Sequence, residues 1–167
     1  MRRTVSVMVG LLFMVNVASA QAPAPQPYGT LAQLMRGIFF PNANILFDVQ
    51  QHDPAKPKAE DKSGTVTATF SNIYTGWQVV ENSALALAES ATLLSIAGRK
   101  CENGKPAPTA RADWQQFTKE LVTASQAMAA AARSKNLELA QDKTNDVAGA
   151  CENCHTAYRD KTPRCIP

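Results

Sequence analysis

Residues 137–159 read LELAQDKTNDVAGACENCHTAYR, and this stretch decides the fold. Leu137, Ala140, Val147, Cys151, Cys154 and Tyr158 recur at helical spacing, so they lie along one face of a helix. His155 follows Cys151 by four positions and shares that face. Pro163 supplies the stop. Working back along the chain, the same spacing recurs three more times. Trp114, Phe117, Leu121, Ala124, Met128 and Ala131 mark a third helix, with Asp113 near its start, where a negative charge suits the helix dipole. Ser134 to Asn136 is the turn between these two. Ile73, Trp77, Val80, Ala84, Leu87, Ala91 and Leu94 mark a second helix, ended by Gly98. Thr30 is the expected N-cap of a first helix through Leu31, Leu34, Met35, Ile38 and Phe39. Pro41 falls inside that pattern, and Ile45, Leu46 and Val49 continue it, so a kink or break is expected near Phe40. Alanine is abundant and strand-forming runs are few. The fold class is therefore all-α, an antiparallel up-down-up-down four-helix bundle, whose ligand sites form between facing helices.

The chemistry is concentrated in Cys151-Glu152-Asn153-Cys154-His155. Two cysteines three apart, with a histidine directly after the second, is the spacing of covalent haem c attachment. The two thiols add to vinyl groups on one haem edge, and the adjacent imidazole reaches the iron as an axial ligand. A thioredoxin-like dithiol is the first alternative, but such motifs sit near a βαβ pattern. A zinc site is the second. Cys101, Cys151, Cys154 and Cys165 could supply its four ligands, which leaves His155 unexplained.

The N-terminus agrees with haem attachment outside the cytoplasm. Arg2 and Arg3 precede an apolar run from Val5 to Val17, and Ala18-Ser19-Ala20 is a small-residue cleavage site. Residues 1–20 read as a secretory signal peptide, which places the mature chain in the periplasm. The run is too short and too interrupted for a transmembrane anchor, so no stable membrane insertion is expected. Residues 21–29 form a Pro-rich, extended leader, and 30–167 make one haem-binding domain. A polar segment from His52 to Gly64 reads as a loop. Removing Arg2 and Arg3 from the chain's 17 Lys and Arg leaves fifteen, against 14 Asp and Glu. That near-balance argues against a nucleic-acid partner, which would favour a basic face.

An exported four-helix pattern ending in Cys151-x-x-Cys154-His155-x-x-Tyr158-Arg159 resembles the class II c-type cytochromes, the cytochrome c-prime group. The resemblance implies one covalent haem c, thioether bonds from Cys151 and Cys154, and His155 as the proximal iron ligand. It implies that helix one supplies the residue over the opposite haem face. Met35 lies on that helix's apolar face, so two roles are open to it: sixth iron ligand or core filler. If Met35 does not ligate, Leu34, Ile38 or Phe39 caps a closed apolar pocket. Arg159 either pairs with a haem propionate or is a solvated helix-end arginine. Tyr158 reads as core. Family members are often homodimers, although the sequence marks no dimer face.

In an up-down-up-down bundle, the loop between helices two and three lies at the same end as the C-terminus of helix four. Cys101 and Cys165 occupy those places, and an oxidising compartment favours a disulfide between them; the alternative is two free thiols. His52, the other histidine, is expected at the surface.

The sequence carries no acid–base pair, nucleophile constellation or phosphate loop, so a non-enzymatic role is expected. The leading expectation is a periplasmic electron carrier that cycles between Fe(III) and Fe(II) and meets a redox partner protein. The alternative is a five-coordinate haem protein binding nitric oxide or carbon monoxide. A haem subunit of a larger dehydrogenase, or a peroxidase-like enzyme, would need a distal acid–base group that only His52 could provide.

Overall fold

The computed structural model describes residues 24–56, 75–160 and 164–165 of the 167-residue chain. The signal segment, the first residues of the leader, Ile73 and Pro163 lie outside the described residues. Helix α1 (Leu31–Leu34) runs through a π-helical turn (Met35–Phe39) into α2 (Phe40–Asp48). Helix α3 (Trp77–Ala91) tightens into a 3-10 turn (Thr92–Ser95). Helices α4 (Ala112–Ser134) and α5 (Leu137–Tyr158) follow. Counting α1, the π turn and α2 as one rod, four helices are present among the described residues. The one β feature there is an isolated bridge between Lys100 and Pro106. The all-helical reading holds.

Local chemistry explains the element ends. The Thr30 hydroxyl accepts from the Gln33 amide at 3.2 Å, and the Gln33 side chain accepts from the Thr30 amide at 2.8 Å. This capping box satisfies two helix-terminal donors at once. Asn136 caps α5 by accepting from the Leu139 amide at 3.0 Å. Lys135, with φ 56°, makes the left-handed turn between α4 and α5. The stop expected at Gly98 falls earlier, because the helix leaves α geometry at Ala91. Gly98 instead turns the following loop, with φ +80°.

The interruption expected near Phe40 takes the form of the π turn. Proline has no N–H, and its ring collides with the carbonyl four residues back in a continuous α-helix. For Pro41 that carbonyl belongs to Gly37. The π turn ends just ahead of Pro41, where the Phe40 amide donates to the Met35 carbonyl, five residues back. One extra residue is thus absorbed without ending the rod, which is how π turns insert into α-helices.

The core gathers the stripes that the spacing predicts. Leu46, Val80, Ala84, Leu87, Ala91, Leu121, Met128, Ala140 and Val147 are all buried in one cluster. Fully burying one of the Val, Leu or Met side chains among them contributes roughly 1.5–3 kcal/mol. Many of the contact positions are alanine, which lets the helices approach closely. Helix α3 packs chiefly on α4, and α4 on α5, while α2 touches α3 and α5. Three pairings fix these elements end to end. Arg133 on α4 bonds Glu81 on α3 at 2.8 Å. Trp114 Nε1 donates to the Leu94 carbonyl at 3.1 Å. Thr144 Oγ1 donates to the Leu46 carbonyl at 3.2 Å.

Candidate haem site

A second, smaller cluster lies at the end of the bundle where α5 finishes. Tyr158 is buried there, edge-on to Trp114 with ring centroids 4.9 Å apart and to Phe117 at 6.4 Å. Its hydroxyl accepts from Arg111 Nε at 3.1 Å. Arg111 also grips Asp113 with two bonds of 3.0 and 3.1 Å. These bonds, led by the one from Arg111, hold the Asp113 carboxyl down at about 2. Tyr158 is therefore core, as expected. Cys101 and Cys165 complete this cluster as a disulfide with Cα atoms 6.3 Å apart. The pairing expected from their places in the sequence is present.

Next to this cluster is a cavity of about 890 Å³, lined by the α1–π–α2 rod, α4 and α5, with Leu87 and Leu94 from the α3 side. That volume suits a medium-sized ligand, whose sites span roughly 300–1,000 Å³. Helix α5 contributes Cys151, Cys154 and His155, all half-buried and all on the lining. The opposing rod contributes Leu31, Met35, Phe39, Ala43 and Phe47. Trp114, Phe117 and Leu121 from α4 add aromatic and aliphatic surface. Both cysteines of the disulfide line the same cavity. Arg36, Arg159 and Arg164 stand at its exposed edge, facing Glu102 and Asp160.

The protonation states separate the chemical alternatives. Burial pushes the Cys154 thiol up to about 11, with Cys151 and Asp113 adding to the effect. Burial also raises the Cys151 thiol. Redox dithiols work the other way, by a depressed thiol pKa that yields a reactive thiolate. The Cys101–Cys165 bond removes two of the four sulfurs that a zinc site would draw on. Burial lowers the His155 pKa, and the neighbouring Arg159 charge lowers it further. Asp160 opposes part of this, and the net shift favours the neutral imidazole, the form that binds metal.

Most site residues expected from sequence meet at this cavity, and two of the expected pocket caps, Ile38 and Leu34, do not. Met35 and Phe39 line it, but Ile38 does not. That expectation is corrected: Ile38 is partly buried against the main core instead. The reason is register. The cavity face of the rod repeats every four residues through Leu31, Met35, Phe39, Ala43 and Phe47, and Ile38 falls one position off it. Leu34 is off the repeat too and packs on the main core. Met128 is fully buried in the bundle centre, away from the lining. His52 is a surface residue as expected, bonded to Asp48 at 2.7 Å, and it is not on the lining. Arg159 is mostly exposed and pairs with Asp160 at 2.6 Å. Sequence reasoning missed Leu31, Phe40 and Phe47 as lining residues. For Leu31 and Phe47 the four-residue repeat was the available signal, since a π turn widens the period beyond 3.6; Phe40 lies off that repeat.

Two thiols and a neutral imidazole on one helix turn, facing apolar and aromatic walls with cations at the rim, fit a covalently tethered haem. Residues 103–159 match the family model Cytochrome C'. The match spans α4 and α5 and contains Cys151, Cys154 and His155. It agrees with the resemblance to the cytochrome c-prime group, and it implies a covalent haem c. It does not reach the rod that carries Met35. Searches of curated proteins and of solved structures find no match to the chain.

Proposed function

We propose that the chain is an exported, periplasmic mono-haem c-type cytochrome that carries electrons between partner proteins and performs no catalysis of its own. The observation that carries this reading is the pairing of Met35 and His155. An imidazole from α5 and a thioether from the rod line one cavity, and the second methionine of the mature chain is buried elsewhere. The end-to-end bonds among α2, α3, α4 and α5 support the antiparallel up-down-up-down order, with the haem on the last helix.

When bound, the haem supplies one-electron Fe(III)/Fe(II) chemistry. The chain's residues do the rest. Cys151 and Cys154 tether the group by thioether bonds. Neutral His155 and the Met35 thioether would be the side chains that hold its iron. A thioether ligand raises the reduction potential. The apolar walls exclude water. Arg159, at the rim beside Asp160, would be the cation available to a haem propionate.

Optical spectroscopy tests the ligand set. A low-spin spectrum with a sulfur-to-iron band is expected, and it is lost in Met35→Leu. An unchanged Met35→Leu spectrum would overturn the assignment. Intact mass tests the tether: wild type carries one haem, and Cys151→Ala/Cys154→Ala gives the bare polypeptide after denaturation.

A second reading has its own observation. Phe39, 6 % exposed, lines the cavity beside Met35 and Leu31. Such a wall would close an apolar distal pocket over five-coordinate iron suited to nitric oxide or carbon monoxide. Immediate carbon monoxide uptake by a high-spin ferrous protein would favour it.

A further inference from the structure

Residues 99–101 bring three elements together at one end of the cavity. Arg99 is only 4 % exposed, although it carries a guanidinium. Its Nε donates to the Leu93 carbonyl at 3.0 Å, and one terminal nitrogen donates to the Gly29 carbonyl at 2.9 Å. Both acceptors are main-chain carbonyls. Burial lowers the pKa of this group from its ordinary value, as expected for a desolvated cation. A buried cation carries a desolvation cost that only well-placed acceptors offset. Leu93 belongs to the 3-10 turn that ends α3, where a cation suits the helix dipole. Gly29 directly precedes the Thr30 cap of α1.

The next two residues continue the connection. The Lys100 carbonyl accepts from the Leu31 amide at 2.8 Å. Cys101 is bonded to Cys165, whose amide donates to the Tyr158 carbonyl at 2.7 Å. One tripeptide thus holds the entry to α1, the end of α3 and the end of α5. Met35 stands one turn beyond Leu31, and His155 stands one turn before Tyr158.

We infer that Arg99 is a positioning residue: by joining Gly29 to Leu93, it sets where the Met35 face of the rod stands across the cavity from His155. The inference rests on the proposed haem reading, because Met35 and His155 matter as a pair only if they share an iron. It reaches beyond the ligand set, to a side chain that does not line the cavity.

Two variants test it in the haem-loaded protein. Arg99→Gln keeps a polar side chain but not the twin donation, and Arg99→Lys keeps the charge. The readouts are hydrogen exchange of amides 31–39, the rate of carbon monoxide uptake by the ferrous form, and the melting temperature. In Arg99→Gln, exchange at Leu31 and uptake of carbon monoxide both rise about tenfold, within the usual range of coupling between sites. Arg99→Lys recovers part of each. A lowered melting temperature with wild-type uptake overturns the inference, because Arg99 is then merely structural. If Arg99→Gln yields no holoprotein, a lowered melting temperature with wild-type exchange and uptake in Arg99→Lys overturns it equally. Met35→Leu separates the two failures. An unchanged Met35→Leu spectrum refutes the ligand reading and the clamp with it. An altered Met35→Leu beside a wild-type-like Arg99→Gln refutes the clamp alone.

Discussion

Asp113 works at three jobs within one turn of helix. It accepts from the Trp114 amide at 2.9 Å, binds Arg111 through both oxygens, and through Arg111 reaches the Tyr158 hydroxyl at the end of α5. Its carboxyl titrates near 3.8 when unfolded and at about 2 when folded. The unfolded chain therefore binds more protons between those values, and stability falls as pH drops through them. The contribution is complete above pH 3.8 and gone below about 2. Denaturation midpoints across that window should flatten in Asp113→Asn, and added salt should shrink the difference, because the pair is partly exposed. A wild-type slope in the variant would show that other carboxylates set the acid limit. Sequence identified Asp113 only as a favourable charge at a helix start. The Arg111 and Tyr158 partners were not legible, because 47 positions separate those two residues in the chain and only the packing of α4 on α5 joins them.

The four helices were readable from spacing alone, since Val80, Ala84, Leu87 and Ala91 could bury one face in no other regular conformation. The π turn was readable only as trouble at Pro41. Proline dictates that the ladder must yield, but whether it breaks, kinks or widens depends on what the neighbouring side chains can bury. Here Phe39 is buried while Phe40 is 69 % exposed, so the rod continues with its cavity face intact. Ile38 was misplaced for the same reason, because a 3.6-residue period carried into the π turn that contains it assigns the wrong face. Arg99 was unreadable as well: a charged residue beside Gly98 looks like surface loop until Gly29 and Leu93 arrive from elsewhere in the chain. Gly37 allows a direct check on the rod. It is exposed, and a Cβ there meets nothing within 4 Å. Gly37→Ala should raise stability by about 0.5–1 kcal/mol, the usual difference between these residues inside helices. The haem spectrum should not change. A destabilised Gly37→Ala, read by urea titration, would mean that the π turn needs the freedom of glycine.

At the scale of the whole molecule, the Cys101–Cys165 bond closes a span of 64 residues containing α4 and α5. Such crosslinks typically contribute about 2–4 kcal/mol. Cys101→Ser/Cys165→Ser should therefore melt at a lower temperature and still hold its haem through Cys151 and Cys154. Loss of the covalent haem in that variant would show that the crosslink is needed for attachment rather than for stability alone. The crosslink also leaps over Cys151 and Cys154, the two sulfurs proposed to hold the haem, while bordering the same hollow. Four thiols can pair in three ways, and two of those join an attachment sulfur to Cys101 or Cys165. Closing the long-range bond takes half of those sulfurs out of circulation. The two sulfurs then left free within the chain are those of Cys151 and Cys154, and neither can be lost to Cys101 or Cys165.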